Sequence, residues 1–115
     1  MKSAQFIIAQ NTDGLFAARR APGANCRRFY LPGGAIGERE TLESVCARQG
    51  WNINRGELVH SEITQSGYKA EWFSGTARPV KRINTAPHWV TKATIEQSDH
   101  LHDDAFDVFE TLKGA

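Results

Sequence analysis

Residues Leu31–Trp51 read LPGGAIGERETLESVCARQGW and contain the most informative spacing in the chain. Gly34 is followed after five residues by Glu40, and Glu40 is followed after seven residues by Arg48. The arginine leads directly into residues 49–51, Gln-Gly-Trp, so no carboxylate follows it. The stretch therefore combines a glycine-containing loop with one acid and one base at a defined spacing. It lacks a cluster of acids after the arginine.

This spacing resembles the first half of the Nudix box, the phosphate-handling motif of the Nudix hydrolases. That box reads Gly, five residues, Glu, seven residues, Arg-Glu-hydrophobic-x-Glu-Glu-x-Gly-hydrophobic. The family places the closing Gly fifteen residues after the first Glu, whereas Gly50 lies ten residues after Glu40. The five missing residues are those that carry the metal-binding carboxylates in the family. The resemblance therefore implies a degenerate Nudix-like domain in which most of the catalytic centre is absent.

The likeness covers most of the chain. Residues 4–20 are typical of a strand, a turn and a second strand, and residues 29–34 (FYLPGG) match the entry to the Nudix loop. Residues 86–90 (APHWV), followed by a polar helix start, resemble the C-terminal half of the family. The resemblance thus implies a Nudix-like α/β/α sandwich.

Turn residues and periodicity predict the individual elements. Thr41 can cap a helix over residues 41–49, and Gly50 suits the left-handed position that ends it. The expected inner face of this helix comprises Leu42, Val45, Cys46 and Gln49. Strands are predicted at 4–10, 15–20, 57–66, 68–76 and 89–90, one or two helical turns at 91–97, and a second helix at 103–113. Strands with a helix on either side predict the α/β class, with a mixed central sheet between two helical layers.

The composition describes a single domain over residues 1–115. Hydrophobic residues make up 40% of the chain, which is typical of a globular protein. No apolar run approaches the roughly 20 residues that span a bilayer, and no signal peptide is evident, so we expect a cytoplasmic protein that does not enter a membrane. Cys26 and Cys46 are expected to be free thiols.

Residual catalytic chemistry would depend on Glu40 and Arg48, the surviving positions of the box. A weak Mg²⁺ or Mn²⁺ site would use Glu38, Glu40 and Glu43, because divalent cations of this kind prefer carboxylate oxygens. Such a site would support an active hydrolase of nucleoside diphosphates linked to another group. The alternative is that these acids are solvated charges that complement the helix dipole. On that alternative no cofactor is expected.

The favoured hypothesis is metal-independent binding of a nucleotide or phosphate without hydrolysis. Arginines can bind a phosphate directly once the family's carboxylates are missing. Aromatic rings can stack on a base, and glycine N–H groups can face a phosphate. The alternative to ligand binding is a purely structural role for these residues. The arginines would then be solvated, the tryptophan would lie in the core and the glycines would serve a tight turn. The candidate ligand-binding residues are Arg19, Arg20, Phe29, Tyr30, Gly33, Gly34 and Trp72.

Two further kinds of partner remain open. A shortened helix exposes apolar surface, which favours a homodimer or a protein partner. A nucleic-acid-contacting regulator would use Arg27, Arg28, Lys81 and Arg82. The net charge of +1 and the absence of a recognisable helix-turn-helix make nucleic acid an unlikely partner.

Overall fold

The computed structural model describes residues 2–20, 29–80, 87–95 and 103–113. In chain order the elements are β1 (Lys2–Ile8), β2 (Phe16–Arg20), β3 (Phe29–Tyr30), β4 (Gly33–Ile36), α1 (Leu42–Arg48), β5 (Trp51–Ile63), β6 (Tyr68–Pro79), β7 (His88–Val90), a 3-10 turn (Lys92–Thr94) and α2 (Asp103–Lys113). None of the helices in these described ranges is long and apolar enough to cross a membrane.

The strands form two sheets. The larger has the order β4-β1-β6-β5, in which β1 and β6 are parallel and the other pairs are antiparallel. The smaller has the order β3-β2-β7 and is antiparallel. The mixed sheet and the α/β class are therefore confirmed.

Strand β1 is buried on both faces and separates two hydrophobic cores. Ala4, Phe6 and Ile8 pack into the core that contains residues of α2, whereas Ile7 and Ala9 pack into the core that contains residues of α1. Successive side chains of a strand point to opposite faces, so this apolar run needs cover on both faces of the sheet, and here α2 and α1 contribute to the two cores. The three-layer arrangement follows from this requirement.

Helix α1 begins and ends as predicted. The Thr41 hydroxyl accepts a hydrogen bond from Ser44 N–H at 3.1 Å, and the Ser44 hydroxyl accepts one from Thr41 N–H at 3.0 Å. This reciprocal capping box satisfies two N–H groups at the helix start. Gly50 has φ 96°, as a residue after a helix C-terminus requires. Leu42, Val45 and Cys46 are buried, as predicted for the inner face.

Strand β5 differs from the prediction because it begins at Trp51 rather than at residue 57. Trp51 and Ile53 face the α1 core, and Asn52 and Asn54 alternate with them, so the first part of the strand has the period of two. The ladder to β6 shifts its register between Arg55 and Leu58 and again before His60. These irregularities interrupt the alternation and hid the strand start from pattern reading.

Helix α2 buries Ala105, Phe106 and Phe109, but Leu112 is exposed. The predicted turns at 91–97 reduce to the 3-10 turn at Lys92–Thr94, and residues 96 and 97 lie outside the described ranges.

Candidate functional site

The two surviving positions of the box bind each other. Arg48 at the end of α1 forms an ion pair with Glu40 in the loop before it. The second oxygen of Glu40 accepts the N–H of Gly37 at 3.0 Å. Both lone-pair sets of this carboxylate are thus directed at protein donors, and the pair fastens the end of α1 to the loop that leads into it.

The three candidate metal ligands do not converge. Glu43 pairs with Arg55 of β5 at 3.4 Å, and Arg55 in turn lies over the ring of Phe73. Glu40 is engaged as described above, and Glu38 is exposed. Among the described residues no group of three His, Cys, Asp or Glu side chains could hold a metal ion. The structure does not bring the predicted ligand set Glu38, Glu40 and Glu43 together, because two of its members pair with different arginines.

Gln49 makes a contact that sequence reasoning missed. Its amide oxygen accepts the Gly33 N–H at 2.8 Å, and its amide nitrogen donates to the Gly33 carbonyl at 2.7 Å. The N–H and the C=O of Gly33, the first residue of β4, are thereby both satisfied by one side chain. Gly33 itself must be glycine, since a Cβ there would lie 2.1 Å from the Gln5 carbonyl oxygen at φ +125°.

This contact corrects the prediction that the Gly33 N–H could face a phosphate, because the N–H already has a partner. The available signal was the position of Gln49 directly after Arg48, where the family motif has the glutamate that follows its arginine. An amide at this position both donates and accepts, whereas a carboxylate would only accept.

Arg19 is a half-buried cation near the end of β2. Its guanidinium carbon lies 5.4 Å from the centre of the Tyr30 ring, and its Nε is buried without a hydrogen-bond partner. Burial lowers the pKa of Arg19 below its ordinary value. No acidic side chain pairs with it among those that the structure describes.

Gly34 lies in front of this guanidinium. A Cβ built on Gly34 would be 4.0 Å from Nη2 of Arg19, and the residue has φ +135°. Glycine therefore keeps the space beside Nη2 open, and any side chain there would be strained. Arg19, Tyr30 and Gly34 form what we call the Arg19 site.

The other candidates lie elsewhere. Arg20 pairs with Phe29 and Arg19 with Tyr30, so the two pairs point to opposite faces of the small sheet. Phe29 contacts the ring of His88 at 4.9 Å on its own face. The seven predicted residues thus do not form one pocket, since neighbours on a strand cannot share a face.

Trp72 lies in the core. It is fully buried and stacks on Phe6 with ring centres 5.4 Å apart. The prediction that it stacks on a ligand is therefore corrected. Ala70 and Trp72 are two residues apart on β6, so both lie on the buried face of the sheet that α2 covers.

An open groove of about 570 Å³ lies at the edge of the large sheet. It is lined by β1, β4 and the loop before α1, and it contains the acids Glu38 and Glu40 together with Lys2. None of the predicted ligand-binding residues lines it. The residues predicted for nucleic-acid contact, Arg27, Arg28, Lys81 and Arg82, lie outside the described ranges.

No protein-family model matches the sequence, and no curated protein matches it either. Solved structures do match it. An ADP-ribose pyrophosphatase from Streptococcus suis has 6% identity and a TM-score of 0.73, with 99% of this chain and 92% of that chain covered. A NUDIX hydrolase from Nitrosomonas europaea has 13% identity and a TM-score of 0.66, covering 97% and 90%. The C-terminal domain of mouse MUTYH, solved in complex with human PCNA, has 11% identity and a TM-score of 0.62, covering 100% and 91%. At these identities the likeness is one of fold.

Proposed function

The chain has the fold of the Nudix hydrolases, and we propose that it binds a nucleotide or another phosphate-containing small molecule without hydrolysing it. The observation that supports this proposal is the Arg19 site. A guanidinium with a buried, unbonded Nε and no described acidic partner is costly in the free protein. A bound anion would compensate that cost.

The neighbouring charges favour an anion rather than a cation. Glu40 and Glu43 each pair with another arginine, Arg48 and Arg55, rather than with Arg19. Arginine presents parallel donors that match two phosphate oxygens. Gly34 leaves room for such a group beside Nη2.

The same ion pairs count against hydrolysis. A hydrolase of this kind needs carboxylates that converge on a divalent cation and a base that activates water. Glu40 and Glu43 are engaged with arginines, and the residue after Arg48 is Gln49, an amide bonded to Gly33 rather than a carboxylate. The donor set therefore supports a binding protein better than an Mg²⁺- or Mn²⁺-dependent enzyme.

Calorimetric titration with ADP and with inorganic pyrophosphate tests the proposal. Binding is expected in EDTA and should change little when Mg²⁺ is added. Arg19→Ala should weaken it at least about tenfold, because a hydrogen bond to a charged group contributes about 1.5–3 kcal/mol. The matched control is Arg78→Ala, which removes an exposed arginine of β6. Equal affinity of both variants would reject the Arg19 site.

The alternative of an active hydrolase is tested in parallel. Nucleotide sugars, dinucleotides and nucleoside triphosphates are incubated with Mg²⁺ or Mn²⁺, and release of phosphate or nucleoside monophosphate is measured. Turnover that disappears in Glu40→Gln would overturn the binding-only proposal.

The proposed location is the cytoplasm, which the free, buried thiol of Cys46 supports.

Protein interaction is a second candidate function. Leu58 and Ile63 of β5 are 49% and 60% exposed, although both are large and apolar. Exposed aliphatic side chains grouped on one element favour an interface. The similarity to a domain solved in complex with another protein is compatible with this role.

A further inference from the structure

Strand β5 forms one edge of the large sheet. Within the described parts of the chain its only strand neighbour is β6. Leu58 pairs with Phe73 and Ile63 pairs with Lys69, and positions 69 and 73 of β6 share a face. Phe73 packs against the α1 core, so the two exposed aliphatic side chains lie on the α1 side of the sheet. This edge therefore carries an apolar pair on one face.

The backbone of β5 offers hydrogen-bonding groups at this edge. Thr64 N–H donates to the Tyr68 carbonyl at 2.8 Å, so Thr64 directs its backbone toward β6. In an antiparallel ladder these directions alternate. Glu62 therefore also faces β6, while the N–H and C=O groups of Ser61 and Ile63 face outward.

We propose that a second copy of this chain adds to β5 in antiparallel orientation, with the two-fold axis passing through Ser61. Such a contact is isologous and continues the sheet across both copies. The inference names an occupant for the interaction surface proposed above, and it does not depend on phosphate binding.

The apolar side chains are self-complementary in this register. Ser61 lies opposite Ser61 of the second copy, and Ile63 lies opposite Val59 of the second copy. The register shift between Leu58 and His60 places Leu58 beside Val59, the residue that lies opposite Ile63 of the other copy. Each Ile63 thus meets Leu58 of the second copy, and both exposed side chains become covered.

The polar side chains on the opposite face select the same register. His60 lies opposite Glu62 of the second copy, and these two residues already lie 3.7 Å apart within one chain. A register centred on Glu62 would instead place two carboxylates directly opposite each other, which is unfavourable. A register centred on Ile63 would run past the strand end, which lies at Ile63. Ser61 is therefore the favoured centre.

The interface is short, so the dimer is weak. Stable complexes bury about 800 Å² per partner, and a ladder confined to residues 59–63 by the upstream irregularities covers less. We expect a monomer at micromolar concentration and a substantial dimer population near about 1 mM, as for a millimolar Kd.

Sedimentation velocity over this concentration range tests the proposal. The wild-type protein should associate, and Ile63→Lys should remain monomeric because it places a charge in the apolar contact. Leu112→Lys is the matched control, since Leu112 is an exposed leucine of α2, and it should associate like the wild type. A wild-type chain that is monomeric throughout, or association that survives Ile63→Lys, would overturn the proposal.

Cross-linking tests the register. Opposed residues of a hydrogen-bonded antiparallel pair have Cα atoms about 5.5 Å apart, within disulfide range. In a Cys26→Ser background, Ser61→Cys should form a covalent dimer on mild oxidation, whereas Ser66→Cys in the β5–β6 turn should not. Equal cross-linking of both would reject the axis at Ser61. ADP binding by Ile63→Lys should be unchanged, so failure of this proposal and failure of the Arg19 site are distinguishable.

Discussion

Arg19→Met should stabilise the free protein while abolishing anion binding. Methionine keeps an unbranched apolar stem against Tyr30 but removes the guanidinium. A buried donor without a partner costs about 1–3 kcal/mol, and the Nε of Arg19 is such a donor. The cation–π contact with Tyr30 offsets about 0.5–1 kcal/mol of that cost. The variant is therefore expected to be more stable by about 1 kcal/mol.

Thermal unfolding measures this effect. For a domain of this size about 1 kcal/mol corresponds to a shift of about 4 °C, so the Tm of Arg19→Met should rise by about that amount. Ligand at about 100 times its Kd should stabilise the wild type by about 2.7 kcal/mol and leave the variant unchanged. With saturating ADP or pyrophosphate the wild type should therefore unfold at the higher temperature.

The control is Arg78→Met, which changes an exposed arginine and should shift stability by no more than about 0.5 kcal/mol. Destabilisation by Arg19→Met would show that the guanidinium contributes to stability in the free protein. Retained ligand stabilisation in that variant would show that the anion binds elsewhere. Either result would refute the reasoning.

Two further predictions concern the interior of the α1 side. Gln49→Glu should lower the free energy of unfolding, measured in urea, by about 2 kcal/mol at neutral pH, because an oxygen replaces the donor to the Gly33 carbonyl. Burial, followed by the charge of Glu43, raises the pKa of Cys46 to about 12 from an ordinary value of 9.0. The unfolded thiol thus ionises first, so the stability of the wild type relative to Cys46→Val should be complete below pH 9 and fall as the pH rises above it. Urea unfolding of both proteins at pH 8 and pH 10 measures this change. A stability of the wild type relative to Cys46→Val that rises between these pH values would contradict the prediction.

Pattern reading succeeded where a feature depends on neighbours in the chain. The capping residues Thr41 and Ser44 bond to each other within one helical turn, and Gly50 ends the helix through its own backbone freedom. The apolar run of β1 specifies two covered faces for the same local reason. Alternation along β2 could also have separated Arg19 from Arg20. The motif places these candidates close together along the chain, whereas the strands direct them to different faces.

What the sequence by itself determined is the class of fold, the position and caps of α1 and the absence of consecutive acids after Arg48. Only the tertiary structure decided which partner each charged or polar group takes. Glu43 bonds to a strand that follows α1, Gln49 bonds to Gly33 in a strand that precedes it, and Trp51 Nε1 donates to the carbonyl of Ala18, which is 33 residues away. Hydrogen bonds and ion pairs depend on distances of a few ångströms, and those distances are set by how layers pack rather than by spacing along the chain. Arg19 is the clearest case, because its charge is visible in the sequence while its burial beside Tyr30 and Gly34 exists only after packing.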